Sequence, residues 1–126
     1  MVPDAISAII EAAQFWKEKK NESVAGLRNK KEAIALILEA VVATKAYLFD
    51  LESGNKPSRE EEKILSSKWM HASMAISEYD HRLYTAAKLK ALGWADPREW
   101  SKADVSPWLI RLDVIMNQCD HLYDES

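Results

Sequence analysis

Two pairs of polar residues have the spacing that metal sites in helical bundles use. Glu78 precedes His81 by three positions, and Gln118 precedes His121 by the same distance. Residues three apart share one face of a helix, so a carboxylate and an imidazole at this spacing can bind one metal ion. A complete di-metal site needs the carboxylate and histidine pair twice, and here an amide replaces the second carboxylate. A bundle that binds a metal or ligand through Glu78, His81 and His121 is therefore an alternative function, and the main prediction includes no cofactor.

A short segment distantly resembles the phosphorylatable segment of histidine phosphotransfer domains, which are small acidic four-helix bundles. It comprises His81-Arg-Leu-Tyr-Thr-Ala-Ala and the later Leu92-Gly93. The resemblance implies a helical bundle with His81 as the phosphoacceptor. The chain departs from the family at Tyr84 and Thr85, where the family has a lysine that supports the phosphoryl group and a glycine that gives it room. Because these two supports are missing, no catalytic role is assigned to His81.

The tryptophans are numerous for the length of the chain. Five occur in 126 residues, and three of them, Trp94, Trp100 and Trp108, lie within fifteen positions. An exposed tryptophan is a common anchor at a protein interface, or a platform on which an aromatic ring stacks. Alternatively, the indole rings fill gaps at the open end of a bundle. The sequence leaves both uses open.

Charge is unevenly distributed along the chain. The formal net charge is −3, with basic residues gathered between Lys17 and Lys31 and acidic residues gathered near the end. Such polarity can orient a partner or a second copy. Nucleic-acid binding through the cluster Lys17–Lys31 is a further alternative, which the acidic balance disfavours.

Length and composition limit the class of protein. The 126 residues fit one domain, 1–126, and the single cysteine, Cys119, excludes an intramolecular disulfide and a thiolate-rich zinc site. The longest apolar stretch is interrupted by Glu39 and is shorter than the roughly 20 residues that cross a bilayer. The N-terminus has no secretory signal pattern. We therefore expect a cytoplasmic protein without a membrane partner.

The first half of the chain predicts two helices. Helix one is expected from about Pro3 to Lys20, and a polar connection that contains Gly26 follows at Asn21–Asn29. Helix two is expected over Lys30–Glu52. Its apolar residues cover two adjoining stripes, which is typical of a helix with neighbours on two sides. Helix two is therefore predicted to be central.

The second half predicts one long helix, one short helix and a final helix. Glycine, proline and a capping box at Ser58 and Glu61 mark a tight turn at Ser53–Ser58. Helix three is expected from there to Leu92, because apolar residues recur at gaps of four and three without glycine or proline. A short helix is expected at Asp96–Trp100, and helix four follows Ser106-Pro107 and ends near Tyr123.

These elements predict an all-α fold: a four-helix bundle built on a long antiparallel hairpin of helices two and three, with a short extra helix before the last. The absence of a recognisable catalytic set favours a non-enzymatic interaction module that binds a partner protein or forms a homodimer. Helix three is longer than helix two, so its far end needs another partner. The predicted contact residues there are Tyr84, Leu89, Leu92, Trp94 and Trp100.

Overall fold

The computed structural model describes the backbone of residues 10–102 and 111–125 and the side chains of residues 26–100 and 111–125. The described backbone contains helices and no strand, so the all-α prediction is confirmed. The helices are α1 (Ile10–Glu52), α2 (Arg59–Ile76), α3 (His81–Ala95), α4 (Arg98–Lys102) and α5 (Leu112–Asp124). None of them, within these described ranges, is long and apolar enough to cross a membrane.

The chain divides into two compact units, Met1–Glu32 and Ala33–Ser126. The side-chain contacts described below belong to the second unit. The predicted start of helix one at Pro3 lies outside the described residues, and so does the predicted start of the last helix at Ser106-Pro107.

The predicted connection at residues 21–29 is wrong, because these residues are part of the continuous helix α1. Gly26 was the main signal for a break. One glycine inside a helix costs only about 1 kcal/mol relative to alanine, and its neighbours here include the good helix formers Ala25, Leu27 and Arg28. With no proline in the segment, nothing removes a backbone donor, and the helix continues through the glycine.

The continuous helix predicted from Ser58 to Leu92 is also wrong. Helix α2 ends at Ile76, a turn follows, and α3 begins at His81. Asp80 causes the restart: its backbone is extended, and its carboxylate accepts a hydrogen bond of 2.9 Å from the N–H of Leu83. The apolar stripe survives the interruption, because Leu65, Trp69, Ala72 and Ile76 of α2 and Leu83 and Ala86 of α3 are all buried.

The connection between α1 and α2 has the predicted turn chemistry. Gly54 adopts a positive φ of 103°, the left-handed conformation that glycine accepts without strain. Ser58 caps α2, and its hydroxyl oxygen accepts a hydrogen bond of 3.1 Å from the N–H of Glu61. This cap and the turn before it place α2 directly after α1.

A hydrogen-bonded pair of side chains lies in the core between α1 and α2. The indole N–H of Trp69 donates to the hydroxyl of Thr44 at 2.8 Å, and that hydroxyl donates to the carbonyl of Ala40 at 2.8 Å. All three residues are fully buried. Because a buried donor without a partner is costly, this pair fixes the position of α2 along α1.

Helix α5 contributes the apolar residues that the spacing of the last predicted helix indicates. Ile115, Cys119 and Leu122 are buried against the rest of the core. Gln118 reaches from α5 to the end of the α2–α3 turn, where its amide donates to the carboxylate of Asp80 at 2.7 Å. Asp80 thus caps α3 with one oxygen and binds α5 with the other.

Candidate functional site

A groove of about 540 Å³ lies between α2 and α3. Its volume falls within the roughly 300–1,000 Å³ of small-molecule sites. The floor is formed by apolar side chains, and two serines, two permanent cations and one histidine surround it. The lining residues are Arg59, Lys63, Ser66, Ser67, Met70, His71, Ala91, Leu92 and Ala95.

Small side chains keep the groove open. Ala91 is buried and Ala95 is exposed, and a methyl group at each position leaves space that a longer side chain would fill. The hydroxyl of Ser66 donates to the carbonyl of Ala91 at 2.7 Å, so it is directed into the helix packing. Because Ala91 is only 1% exposed, the floor presents mainly the apolar surface of Met70 and Leu92.

Two polar residues of the groove have no partner among the described residues. Lys63 and His71 are exposed, and neither makes a hydrogen bond or an ion pair with another residue in the described part of the chain. None of the nine lining residues is acidic. Lys88 lies one turn before Leu92 on α3, with its ammonium 3.3 Å from the hydroxyl of Tyr84. The groove therefore has an excess of positive charge.

Arg59 closes the groove at the C-terminal end of α3. Its guanidinium donates to the carbonyl of Trp94 at 2.9 Å and to the carbonyl of Ala95, two groups that have no partner within the helix. It also forms an ion pair of 2.8 Å with Glu62. Arg59 thus joins the start of α2 to the end of α3, and its charge is balanced by Glu62.

Glu62 connects this ion pair to the buried Tyr47. The hydroxyl of Tyr47 donates to Glu62 at 2.7 Å and accepts a hydrogen bond of 2.9 Å from the N–H of Ser58. The hydrogen bond from Tyr47 and, next, the Arg59 guanidinium lower the pKa of Glu62 against a smaller opposing effect of burial. Burial, reinforced by the Glu62 carboxylate, raises the pKa of Tyr47.

Three aromatic residues beside this network form what we call the aromatic end: Tyr47, Trp94 and Trp100. The Trp94 ring stands edge-on to Tyr47 with centroids 5.6 Å apart and edge-on to Trp100 at 5.5 Å. The indole N–H of Trp100 donates to the carbonyl of Leu89 at 2.8 Å. The Trp94 indole nitrogen is buried and has no hydrogen-bond partner among the described residues.

Gly93 and Lys90 complete the surroundings of Trp100. The indole ring lies so close to Gly93 that a Cβ atom there would overlap it. The Lys90 ammonium lies 5.7 Å from the centre of the ring, and burial lowers the pKa of this lysine. Both predicted interface tryptophans, Trp94 and Trp100, therefore make packing contacts within the chain and are only partly exposed.

The other predicted contact residues lie along α3. Tyr84 is partly exposed, and Leu89 and Leu92 are partly buried; Leu92 lines the groove. Lys88 lies 5.5 Å from the centre of the Tyr84 ring. Of the five residues predicted together, the structure brings Trp94, Trp100 and the Leu89 carbonyl into contact, and it places Leu92 in the groove.

The candidate metal ligands are separated by the end of a helix. Glu78 is exposed in the turn between α2 and α3, whereas His81 is the first residue of α3, so the two do not share one helix face. His121 on α5 lies 3.3 Å from Glu125. Among residues 26–100 and 111–125, no three histidine, cysteine, aspartate or glutamate side chains are grouped closely enough to hold a metal ion.

The outer side of α1 carries exposed apolar residues that the sequence analysis did not single out. Val42 and Phe49 are each 66% exposed and lie seven positions apart. They form a row at gaps of three and four with Ala35, Lys45 and the partly buried Leu38, which also packs against the core; we call this row the outer stripe. The opposite side of α1, including Ala33, Ala40 and Tyr47, is buried. Neither Val42 nor Phe49 belongs to the two apolar stripes predicted for this helix.

The remaining groups do not form a site. Burial, with a smaller contribution from two carboxylates, raises the pKa of the Cys119 thiol to about 12, so this cysteine is not a reactive thiolate. In the basic cluster, Arg28 and Lys31 are exposed and Lys30 is partly exposed, whereas the side chains of Lys17, Lys19 and Lys20 lie outside the described residues.

The chain matches no protein-family model, and no curated protein or solved structure matches it. Its function is therefore inferred from the chemistry of the groove and of the outer stripe.

Proposed function

We propose that this protein is a small, non-enzymatic helical interaction module of the cytoplasm that pairs with a second copy of itself through the outer stripe of α1. The observation that carries the proposal is the exposure of Val42 and Phe49, two large apolar side chains on one side of one helix. An apolar row of this kind is costly in water, and covering it with another helix removes that cost.

The spacing of the outer stripe favours a second copy as the occupant. Gaps of three and four are those by which two helices pack side chains into one another. In a symmetric dimer the same surface is used twice, so one apolar stripe supplies both halves of the contact. Lys45 interrupts the apolar row, and a single polar residue in such a seam sets the register at some cost in stability.

The bundle arrangement is part of this proposal. Tyr47, near the end of α1, binds Glu62 in the first turn of α2, whereas Thr44 and Glu39, earlier in α1, bind Trp69 and Lys68, which come later in α2. That order supports the antiparallel hairpin on which a four-helix bundle would be built. The contact first predicted at Tyr84, Leu89, Leu92, Trp94 and Trp100 remains a prediction, and a partner protein on that surface remains the alternative to a second copy.

Native mass spectrometry over a range of concentrations tests the proposal. We expect twice the 14.3 kDa mass of the chain at high concentration, and the monomer for Phe49→Asp and Val42→Asp. Met74→Asp is the matched control, because Met74 is 62% exposed but belongs to α2. This control should leave the dimer intact.

Two results would contradict the proposal. A wild-type chain that stays monomeric at every concentration does not self-associate. The dimer could instead survive Phe49→Asp and be lost when Leu92 or Trp94 is replaced by a charged residue. The two copies would then pair through the surface first predicted from the sequence and not through the outer stripe.

A further inference from the structure

We infer that the groove between α2 and α3 is a binding site for an apolar molecule that carries one carboxylate. This site is separate from the outer stripe of α1, and the inference does not depend on self-association. It follows from three features of the groove: its size, its apolar floor and its unbalanced positive charge.

The size of the groove indicates a small molecule. A volume of about 540 Å³ is comparable with ordinary ligand pockets, which take up most of the surface of a small organic molecule. The lining residues extend over more than three turns of α2, residues 59–71, but over little more than one turn of α3, residues 91–95, so a docked helix of about 10–12 Å diameter would have a short wall on one side. The groove is therefore better matched to a compact ligand than to a partner helix.

The floor indicates that the body of the ligand is apolar. Met70 and Leu92, both partly exposed, offer apolar surface, and the adjacent Ser66 hydroxyl is already bonded to the Ala91 carbonyl. Contact with an aliphatic chain removes this surface from water without leaving a polar group unpaired. Met70 also adapts its shape readily, because its unbranched side chain has several rotatable bonds.

The charges indicate that the polar end of the ligand is an anion. Lys63 and His71 lie eight positions apart along α2, which places them about 12 Å apart along the helix axis. Neither has an ion-pair partner within the described residues, and no lining residue is acidic. The Arg59 charge is balanced by Glu62, so Lys63 is the permanent cation available to a ligand carboxylate.

Decanoate is the probe that tests this site, with decanol and decyltrimethylammonium as neutral and cationic ligands of equal chain length. Isothermal titration calorimetry should show one decanoate per chain and binding at least about tenfold weaker for both analogues. Lys63→Glu should weaken decanoate binding by about tenfold or more. Lys56→Glu is the matched control, because this exposed lysine lies in the α1–α2 connection and does not line the groove.

The methionines locate the bound probe within the molecule. In spectra of methyl-labelled protein, decanoate should shift the Met70 signal and leave Met74 unchanged, because Met70 lines the groove and Met74 does not. Ser67→Trp, which fills the groove from an exposed position, should abolish the Met70 shift.

Three results would overturn the inference. Equal binding of decanoate, decanol and the cationic analogue would indicate an unspecific apolar surface. Decanoate binding that is unaffected by Lys63→Glu and Ser67→Trp would lie elsewhere. If the protein binds an acidic peptide but does not bind decanoate at millimolar concentration, the groove is a site for a protein partner and not for a small molecule. Repeating the titration on Phe49→Asp separates these outcomes from those of the dimer experiment, since Phe49 does not line the groove.

Discussion

The aromatic end and the groove both border the C-terminal half of α3, but they use their polar groups in opposite ways. At the aromatic end, Trp100 donates to the carbonyl of Leu89, and Arg59, which also lines the groove, donates to the carbonyls of Trp94 and Ala95; the buried indole N–H of Trp94 is the exception. In the groove, Lys63 and His71 remain without a partner among the described residues. Polar groups that pair within the chain support the fold, whereas unpaired groups beside an apolar surface are available to another molecule. The contrast supports a packing role for Trp94 and Trp100 and the binding role that we propose for the groove.

The largest expected effect is on the stability of the aromatic end. Gly93→Ala should lower the free energy of unfolding by roughly 2 kcal/mol or more, because the added methyl group overlaps the Trp100 ring. Denaturant titration measures the loss. Gly26→Ala is the matched control: a Cβ atom there meets no atom within 4 Å, so we expect a gain of up to about 1 kcal/mol. Equal effects of the two changes would contradict the packing assigned to Trp100.

A smaller effect is expected from the arginine that joins the two regions. Arg59→Ala removes the donors to the carbonyls of Trp94 and Ala95 and should destabilise the fold by about 1 kcal/mol, since the side chain is partly exposed. Lys63→Ala, one turn further along α2, removes an exposed cation without a described partner. If thermal unfolding shows the same loss for both variants, the distinction between paired and unpaired cations is wrong.

The smallest effect is a dependence of stability on pH. The folded-state pKa of Glu62 lies below its ordinary value of 4.5, so the stabilisation from this carboxylate is present above that pH and is lost as the pH falls below it. The contribution is less than about 1 kcal/mol. Between pH 6 and pH 3, the free energy of unfolding should therefore fall less for Glu62→Gln than for the wild type. Glu60→Gln, an exposed carboxylate of the same turn, is the control.

The sequence predicted the fold class and the apolar faces well, because those depend on short-range periodicity. The buried stripe Leu65, Trp69, Ala72 and Ile76 was recognised from its spacing alone. The two errors concern where helices end. Asp80 interrupts the periodic segment because it caps a new helix, whereas Gly26 does not interrupt helix α1. Both outcomes depend on free-energy differences of about 1 kcal/mol, which neighbouring residues can outweigh.

The candidate sites were harder to predict because they depend on which residues remain uncovered. Lys63 and His71 belong to no motif, and only the packing of α2 on α3 places them beside Met70 and Leu92. Val42 and Phe49 lie in a predicted helix but outside its two predicted stripes, and only the structure shows that they stay exposed. The tryptophans are conspicuous in the sequence because they are numerous for its length, and in the structure two of them pack against each other.

The buried thiol on α5 can report when this helix separates from the core. The chain has one cysteine, Cys119, which is fully buried, and burial raises its pKa to about 12. A thiol reagent therefore reacts only during the intervals in which α5 separates from the core. Because a chain can take up one label at most, the rate of labelling reports how readily Cys119 becomes exposed, and a ligand or second copy that holds the bundle closed would lower that rate.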